Sequence, residues 1–406
     1  MSEAVEQLTA TRKLALEETH RRRGATFAER DGWMMPATYG DTRAEYEAVR
    51  GSSGAAGLID FSARGRIEVG GAEAVQFLNG LITNDVKTLA AGTWMHAAFP
   101  NVQGRLLASV RVARAGEEVS FLIDTEPATH EKVFQTLQRF TLAGDFRVID
   151  VSAETVQLSL QGAGARAILE SVLGNAHAQI GDQRQQQQSA FYVSWREAHP
   201  LTILRATHTG EDGYDLICDA RHATVLWEAL VGAGAHACGF DAFEVLRVEA
   251  GEPRHGVDVT DANVVLEAGR EEEAVSYTKG CYIGQEIIAR IHWRGHVAKR
   301  LAGLMLEGDM ELDDATTAID GARVRSADGK EIGRVTSSVF SPRLGRRIAL
   351  CILKYDYLEP DTQVLVVSGE VEGAARVASL PFVRGSWYDD ATTTASDASG
   401  ESEAGA

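Results

Sequence analysis

Short apolar runs and amphipathic segments alternate along most of the chain. Arg66–Val69 and Val156–Leu160 are both predicted to be strands, and each precedes a glycine turn and a stretch with helical apolar spacing. The glycines of these turns, Gly71 and Gly162, lie 91 positions apart. Interleaved strands and helices are typical of an α+β fold. The matching order predicts a divergent internal duplication that builds two related α+β halves.

The same periodicities predict further elements in this part of the chain. The predicted strands are Val119–Ile123, Phe191–Trp195, Leu201–Arg205 and Tyr214–Cys218, and the predicted helices are 128–140 and 220–234. After Lys299 the pattern changes to short apolar runs separated by Asp-Gly, Ser-Pro and Ser-Gly turns. This texture predicts a small all-β barrel or sandwich as a second domain, covering about residues 298–388.

The two ends of the chain differ from its middle. Residues 1–24 are polar and end in Arg21, Arg22 and Arg23, so they are predicted to form a solvated helical arm before a domain at 25–297. Residues 389–406 are acidic and poor in apolar side chains. A segment of that composition cannot bury a core, and disorder is predicted.

Composition indicates an ordinary globular protein. The 406 residues are 44% apolar and 24% charged, which is enough for two or three domains. The chain has no apolar run long enough for a membrane span and no signal-peptide core at its N-terminus. A cytoplasmic location without membrane contact is therefore expected. The four cysteines are scattered, which disfavours a disulfide framework or a structural metal site.

Charge argues against nucleic acid as a partner and points to one basic segment. The net charge is −18, whereas phosphate contacts need clustered Lys and Arg. Residues 287–306 contain no acid, and from Ala289 apolar and basic residues alternate. This pattern predicts a strand with Arg290, His292 and Arg294 on one face, where a small anion could be attracted.

The segment Thr207–Leu216 places an acid at a predicted strand end. Glu211 lies between Gly210 and Gly213, and glycines allow a flat ligand to approach the backbone. The carboxylate could accept hydrogen bonds from the N–H groups of a pterin or a guanidine-like ring. The alternative is a hairpin turn with solvated acids.

The motif KGCYIGQE, Lys279 to Glu286, carries the one cysteine with unusual neighbours. Cys281 follows Lys279 and the flexible Gly280, and a nearby ammonium group favours the nucleophilic thiolate. Gly284 again permits close backbone approach. A buried, inert cysteine beside a salt-bridged strand remains the alternative.

Several long motifs, in order, resemble the glycine-cleavage T-protein superfamily. They include GLITNDV at 80–86, TGEDGYD at 209–215 and GRVTSSVFSPRLGRRIAL at 333–350, and the resemblance extends from Phe27 to Arg384. It implies a duplicated ferredoxin-like folate-binding domain with a central funnel, followed by a small C-terminal β-barrel. It also implies tetrahydrofolate, or a one-carbon or polyglutamyl derivative, as the cofactor.

The chain departs from the aminomethyltransferase pattern where that enzyme has its catalytic acid. The two acid positions correspond to Leu107 and Ala108, which cannot handle protons or stabilise charge. This departure and KGCYIGQE resemble the YgfZ-type branch, whose members use folate in assembling or maintaining iron–sulfur enzymes. The resemblance therefore implies a folate-binding factor with iron–sulfur client or assembly proteins as partners, and no aminomethyl transfer.

Two other functions stay open. One is a folate-dependent aminomethyltransferase or other one-carbon transferase of the T-protein type, which an acid reaching the pocket from elsewhere in the chain would favour. The other is a non-catalytic folate-binding scaffold in which Cys281 is inert.

The resemblance also implies roles for individual residues. Glu211 would bind the pterin edge, with Thr83 and Asp85 near it.

A second group would surround the mouth of the pocket. Lys279 and Cys281 would be its reactive pair, Gln285 and Glu286 would contact folate, and Arg290 would meet the anionic glutamate tail.

Overall fold

The computed structural model describes residues 11–51, 54–114, 120–175, 188–196, 199–307 and 319–389. The strands of the first domain are β1 Arg12–Lys13, β2 Thr26–Arg30, β3 Trp33–Thr38, β4 Ala56–Asp60, β5 Gly65–Gly70, β6 Thr93–Pro100, β7 Leu106–Arg114, β8 Ser120–Thr125, β9 Arg147–Asp150, β10 Thr155–Gln161, β11 Ala190–Trp195, β12 His199–Arg205, β13 Gly213–Asp219 and β14 Ala235–Ala237. Its helices are α1 Glu17–Arg22, α2 Thr42–Arg50, α3 Ala74–Leu81, α4 His130–Gln138, α5 Ala165–Leu173, α6 Ala223–Gly232, α7 Phe240–Glu249, α8 Glu271–Ala274 and α9 Gln285–Arg294.

Two similar sheets form the body of this domain. Their strand orders are β6-β7-β8-β5-β9 and β11-β12-β13-β10-β4-β14, and a small sheet β1-β3-β2 lies beside them. In each large sheet, a central strand (β5 or β10) leads into a helix and then into three antiparallel strands. The matching orders confirm the α+β fold and the predicted duplication.

The two sheets exchange strands. The chain passes from β4, in the second sheet, directly to β5 in the first, and later from β9, in the first sheet, to β10 in the second. Each sheet is therefore completed by a strand that belongs, in chain order, with the other half. Neither half can form its full sheet alone.

Both crossings use the same short sequence, Ile-Asp-x-Ser-Ala, which the periodicity analysis missed. Asp60 and Asp150 each accept a hydrogen bond from the backbone N–H of the serine two residues later, at 2.9 and 3.0 Å. Ser62 Oγ then accepts from Gln157 N of β10, and Ser152 Oγ accepts from Arg66 N of β5. The hydrogen bonds are reciprocal, as a pseudo-twofold relation between the halves requires.

A buried arginine occupies the crossing. Arg66 has no exposed surface, and its guanidinium donates to the carbonyl oxygens of Ser62, Ser152 and Thr155. Burial lowers the pKa of Arg66 to about 10, although Asp124 and Asp60 act in the opposite direction. Carbonyl groups from both crossings are thus satisfied by one side chain.

The N-terminal segment packs against this domain. Leu14, Leu16 and His20 are buried, and His20 Nε2 lies 2.8 Å from Asp60 Oδ2. The described part of the expected solvated arm is therefore attached to the core, because two leucines and a histidine of this polar segment face inward. Residues 1–10 lie outside the described residues, and so does the predicted disordered stretch 389–406 apart from Asp389.

The second domain is a closed six-stranded barrel. Its strands are β15 Lys299–Leu306, β16 Arg323–Ser326, β17 Glu331–Ser341, β18 Arg346–Lys354, β19 Gln363–Ser368 and β20 Val371–Ala378, in the order β15-β18-β17-β16-β19-β20. The predicted barrel is confirmed. It is joined to the first domain by buried polar contacts, including Arg247 Nη2 to Ser337 Oγ at 2.7 Å. Throughout the described ranges, every helix is too short or too polar to cross a bilayer.

A substitution at Gly71 tests the backbone geometry at the end of β5. Its φ is +112°, and a Cβ there would lie 2.2 Å from the carbonyl oxygen of Asp145. We expect Gly71→Ala to lower the free energy of unfolding by about 1–3 kcal/mol, as strained backbone does. Denaturant unfolding measures this change. The matched control is Gly80→Ala on α3, where a Cβ meets no atom within 4 Å; it should stabilise by about 0.4–1 kcal/mol. Equal effects of the two substitutions would contradict the assigned turn.

Candidate functional site

A cavity lies between the two halves of the first domain. Strands β6 and β7 of the first sheet, the loops that follow β4 and β12 of the second, the β2–β3 hairpin and α7 contribute to its wall, and its volume is about 130 Å³. The residues that matter for its chemistry are Phe61, Arg111, Glu126, His208, Phe243 and Arg270. The cavity thus combines an aromatic wall with a charged one.

The aromatic wall is rigid. The ring of Phe61 packs edge to face on Phe243 at a centroid distance of 5.0 Å and on His208 at 4.9 Å. Phe240, beside them on α7, also lines the cavity. The rings are steeply inclined to one another and together form an apolar wall, against which a planar heterocycle can pack.

The polar wall is a buried network built around Arg111 of β7. Arg111 Nε donates to Asp124 at 2.7 Å, and its Nη2 contacts Asp215 of β13. His208 Nε2 lies 2.9 Å from the same Asp215. Burial alone would raise the pKa of Asp215, but His208 and Arg111 hold that pKa well below its usual range. The carboxylate therefore stays ionised and fixes both cavity-facing side chains.

Burial shifts the pKa of His208 in the opposite direction from that of Asp215. It lowers the pKa of the imidazole despite the attraction of Asp215, and Arg111 lowers this pKa further. At neutral pH the ring is uncharged, so it presents both a donor and an acceptor nitrogen.

Glu126, on the loop after β8, is an acid of the wall. Its Oε2 accepts a hydrogen bond from the backbone N–H of His255 at 2.8 Å. Within the described ranges, no Lys, Arg or His side chain makes an ion pair with it. Burial raises the pKa of Glu126, against the influence of Arg64. A carboxyl group with a raised pKa and no ion-pair partner is a candidate for proton transfer.

The two positions where the aminomethyltransferase pattern has acids do not line the cavity. Ala108 is fully buried in the core of the first sheet, and Leu107 packs against the same core. The next residues of β7, Ser109 to Arg111, line the cavity instead. Strand β7 therefore supplies no carboxylate to the cavity.

The structure corrects the assignment of Glu211 to the pterin edge. Glu211 Oε1 accepts from Arg50 Nη1 at 2.8 Å, and Oε2 accepts from the backbone N–H and the hydroxyl of Ser386. Arg50 also pairs with Glu249. The carboxylate thus joins the first domain to the C-terminal segment and does not line the cavity. The acid behind the cavity wall is Asp215, which lies in the same motif. The sequence signal that could have identified it is a charged residue inside an otherwise apolar strand.

The loop 80–86, which was predicted to lie near Glu211, contacts the motif KGCYIGQE. Lys279 Nζ donates to the carbonyl oxygens of Ile82 and Asn84 at 2.8 and 2.6 Å, and burial lowers the pKa of this lysine to about 8, although Asp85 opposes the shift. Thr83 Oγ donates to Ala274 O. These contacts direct the ammonium group of Lys279 toward backbone carbonyls.

Asp85 and the cysteines complete this cluster. Asp85 accepts from the backbone N–H of Lys87 and from Asn79, so it caps a helical turn. Cys281 is exposed, whereas Cys218, Cys238 and Cys351 are buried. Burial raises the pKa of Cys218 to about 12 and that of the other two buried thiols further.

The predicted basic strand after this motif is wrong, because residues 285–294 form helix α9. The apolar residues Ile288 and Ile291 also fit helical spacing, and Ile288 is fully buried. On the helix, Arg290 pairs with Glu286 one turn away at 2.9 Å, and His292 pairs with Glu271. No continuous basic face results. Gln285 and Glu286 form the first turn of α9, and none of the eight predicted site residues lines the central cavity.

A duplicated α+β domain with a cavity between its halves, followed by a closed β-barrel, defines one class of protein. Residues 16–278 match the family model "GCVT N-terminal domain", and residues 299–384 match "Glycine cleavage T-protein C-terminal barrel domain". The chain therefore belongs to the glycine cleavage T-protein family.

Individual relatives agree with this family. The chain is 32% identical to an aminomethyltransferase of Rubrobacter xylanophilus over 92% of this chain and 94% of that one, and 32% identical to one of Geobacillus kaustophilus over 92% and 99%. Its fold is similar to the crystal structure of glycine cleavage system aminomethyltransferase T from Bartonella henselae, with a TM-score of 0.81, 27% identity and coverage of 92% and 98%. These similarities do not single out the YgfZ-type branch.

The contacts of Glu211 predict a structural role. Glu211→Ala leaves the buried Arg50 with Glu249 alone, and we expect the free energy of unfolding to fall by about 2–4 kcal/mol. Because the side chain lies outside the cavity, ligand affinity there should stay unchanged. Chemical denaturation and calorimetric titration with tetrahydrofolate measure the two quantities. A stable variant that no longer binds would restore the pterin role.

Proposed function

We propose that this chain binds tetrahydrofolate in the central cavity and uses it in one-carbon transfer, as the names of its aminomethyltransferase relatives suggest for them. The observation that carries the proposal is the cavity itself, where an aromatic wall faces fixed hydrogen-bonding groups in a T-protein fold. A pterin ring is planar and has donors and acceptors on its edge. Arg111 and His208 can form hydrogen bonds with such an edge from one side of the cavity, and Glu126 can do so from another.

Glu126 replaces the acids that β7 lacks. In aminomethyl transfer the folate nitrogens bond to the carbon while its bonds to the lipoyl sulfur and to the amino group break, so that the carrier thiol and ammonia leave. The protons lost by the folate nitrogens end on these two leaving groups, and a positioned carboxylate can accept and pass on such a proton. Glu126 lines the cavity, is held by His255 N, and has no cation paired with it among the described residues. This is the acid reaching the pocket from elsewhere in the chain that favours the transferase among the functions considered above.

Aminomethyl transfer from a lipoyl carrier to tetrahydrofolate tests the proposal directly. We expect turnover by the wild type and a fall in kcat of about 10²–10⁴ in Glu126→Gln, with tetrahydrofolate still bound. The proton acceptor must be ionised, so the wild-type rate should fall as pH drops through the raised pKa of Glu126, and the variant should lose this dependence.

The control for Glu126 is Asp31→Asn, another acid at the cavity but an exposed one. It should keep the wild-type rate and pH profile. Wild-type binding without turnover would reject the transferase, and full activity of Glu126→Gln would reject the role of this carboxylate.

A second candidate function rests on Cys281. Among the four cysteines it is the exposed one, and it lies in KGCYIGQE beside the loop 80–86. An accessible thiol next to a folate domain supports the hypothesis that the protein assists assembly or maintenance of iron–sulfur enzymes. Lys279 does not contribute there as a charge partner, since its ammonium group is bound by carbonyl oxygens.

This hypothesis predicts that Cys281 matters for function and not for folding. Because the thiol is exposed, Cys281→Ser creates no cavity, so it should melt within a few degrees of the wild type and still bind folate. It should fail to restore iron–sulfur enzyme activity in cells lacking the protein. Alkylation of the native protein should modify Cys281 before Cys218, Cys238 and Cys351. Equal labelling rates together with full restoration by the serine variant would leave the thiol without a function.

A further inference from the structure

A second, larger cleft adjoins the central cavity. Its volume is about 680 Å³, within the usual range for ligand sites, whereas the cavity of about 130 Å³ is too small for a complete folate. The two spaces share four wall residues, namely His96, Thr207, Glu252 and Arg270. A ligand whose ring fills the cavity can therefore extend past this shared wall into the outer cleft.

Arg270 is the centre of the shared wall. Its Nη1 donates to Glu273 Oε2 at 3.0 Å and to His96 Nε2 at 3.1 Å, and its Nη2 contacts Glu252. Burial lowers the pKa of His96 far below its ordinary value, and the nearby Arg270 and Arg111 lower it further. The imidazole is therefore neutral and accepts the hydrogen bond from the guanidinium.

The two carboxylates on Arg270 are held differently. The Glu273 side chain is 53% exposed, while that of Glu252 is 26% exposed and touches both spaces. Glu273 can turn into solvent at little cost, and its departure frees Nη1 toward the outer cleft. Another carboxylate can then take its place on the same guanidinium.

Aromatic side chains line the rest of the outer cleft. Trp94, Trp387 and Tyr388 all contribute to its wall. The tail of a folate consists of an aromatic aminobenzoyl ring followed by glutamate, so it presents a flat ring and then carboxylates. The sequence of surfaces from cavity to cleft provides for both parts.

We propose that Arg270 binds the tail carboxylate of a folate whose ring occupies the central cavity, in exchange for Glu273, and that the outer cleft holds the aminobenzoyl part. This inference rests on the proposed function and names the tail site for it. It replaces the assignment of the tail to Arg290, whose guanidinium pairs with Glu286 on the surface of α9 and lines neither space.

Calorimetric titration with two probes under anaerobic conditions tests the tail site. Tetrahydrofolate carries the tail, and 6-methyltetrahydropterin carries the ring alone. We expect Arg270→Gln to weaken tetrahydrofolate binding about tenfold or more, the cost of losing a charge-assisted hydrogen bond, and to leave binding of the pterin unchanged. Glu273→Gln should tighten tetrahydrofolate binding, because it removes the competing carboxylate. Unchanged pterin binding also shows that each variant is folded.

Two further arginines serve as matched controls. Arg290→Gln should bind both probes as the wild type does. Arg300→Gln alters a smaller neighbouring cleft that also touches Arg270, and a loss of tetrahydrofolate binding confined to this variant would overturn the assignment to the outer cleft.

The outcomes separate the two proposals. If both probes bind the wild type and Arg270→Gln weakens neither, or weakens both equally, the tail site is wrong and the proposed function stands. If neither probe binds the wild type, the proposed function fails and the tail site fails with it.

Discussion

The buried guanidinium of Arg66 holds together the two places where the chain crosses between sheets. It donates to carbonyl oxygens of Ser62 and Ser152, which belong to the two crossings, while each serine hydroxyl accepts from a strand of the other half. A buried carbonyl without a partner costs free energy, so both crossings depend on this contact. Because each sheet is completed by the other half's strand, the two halves fold as one unit. The cavity between them is a consequence of that exchange.

The cavity inherits its chemistry from the same arrangement. Arg111 comes from the first sheet and Asp215 from the second, and their ion pair joins the two halves behind the cavity wall. Asp215 orients His208 and burial keeps its imidazole neutral, while Glu126 stays without a cationic partner among the described residues. The charge state of the wall that contains Arg111 and Asp215 is thus fixed. The other wall retains the carboxyl group of Glu126, which can gain or lose a proton. This contrast underlies the proposed proton acceptor.

The family resemblance and the side-chain geometry answer different questions about function. The matches at 16–278 and 299–384 establish the fold and the family. They do not decide what a chain with Leu107 and Ala108 on β7 does with folate. Glu126 supports one-carbon transfer, and the exposed Cys281 supports a role for KGCYIGQE that transfer does not need. The two functions share a folate site and differ in the second group that acts there.

The sequence alone determined most of the elements, the duplication, the barrel and the family, because apolar periodicity and long motifs are local properties of the chain. It also held the Ile-Asp-x-Ser-Ala repeat around Asp60 and Asp150, which periodicity does not detect. Tertiary structure alone decided the site. Glu211 is engaged by Arg50, 161 positions earlier, and residues 285–294 form a helix that buries Ile288. Which carboxylate faces a cavity depends on partners remote in the chain, and no local pattern contains them.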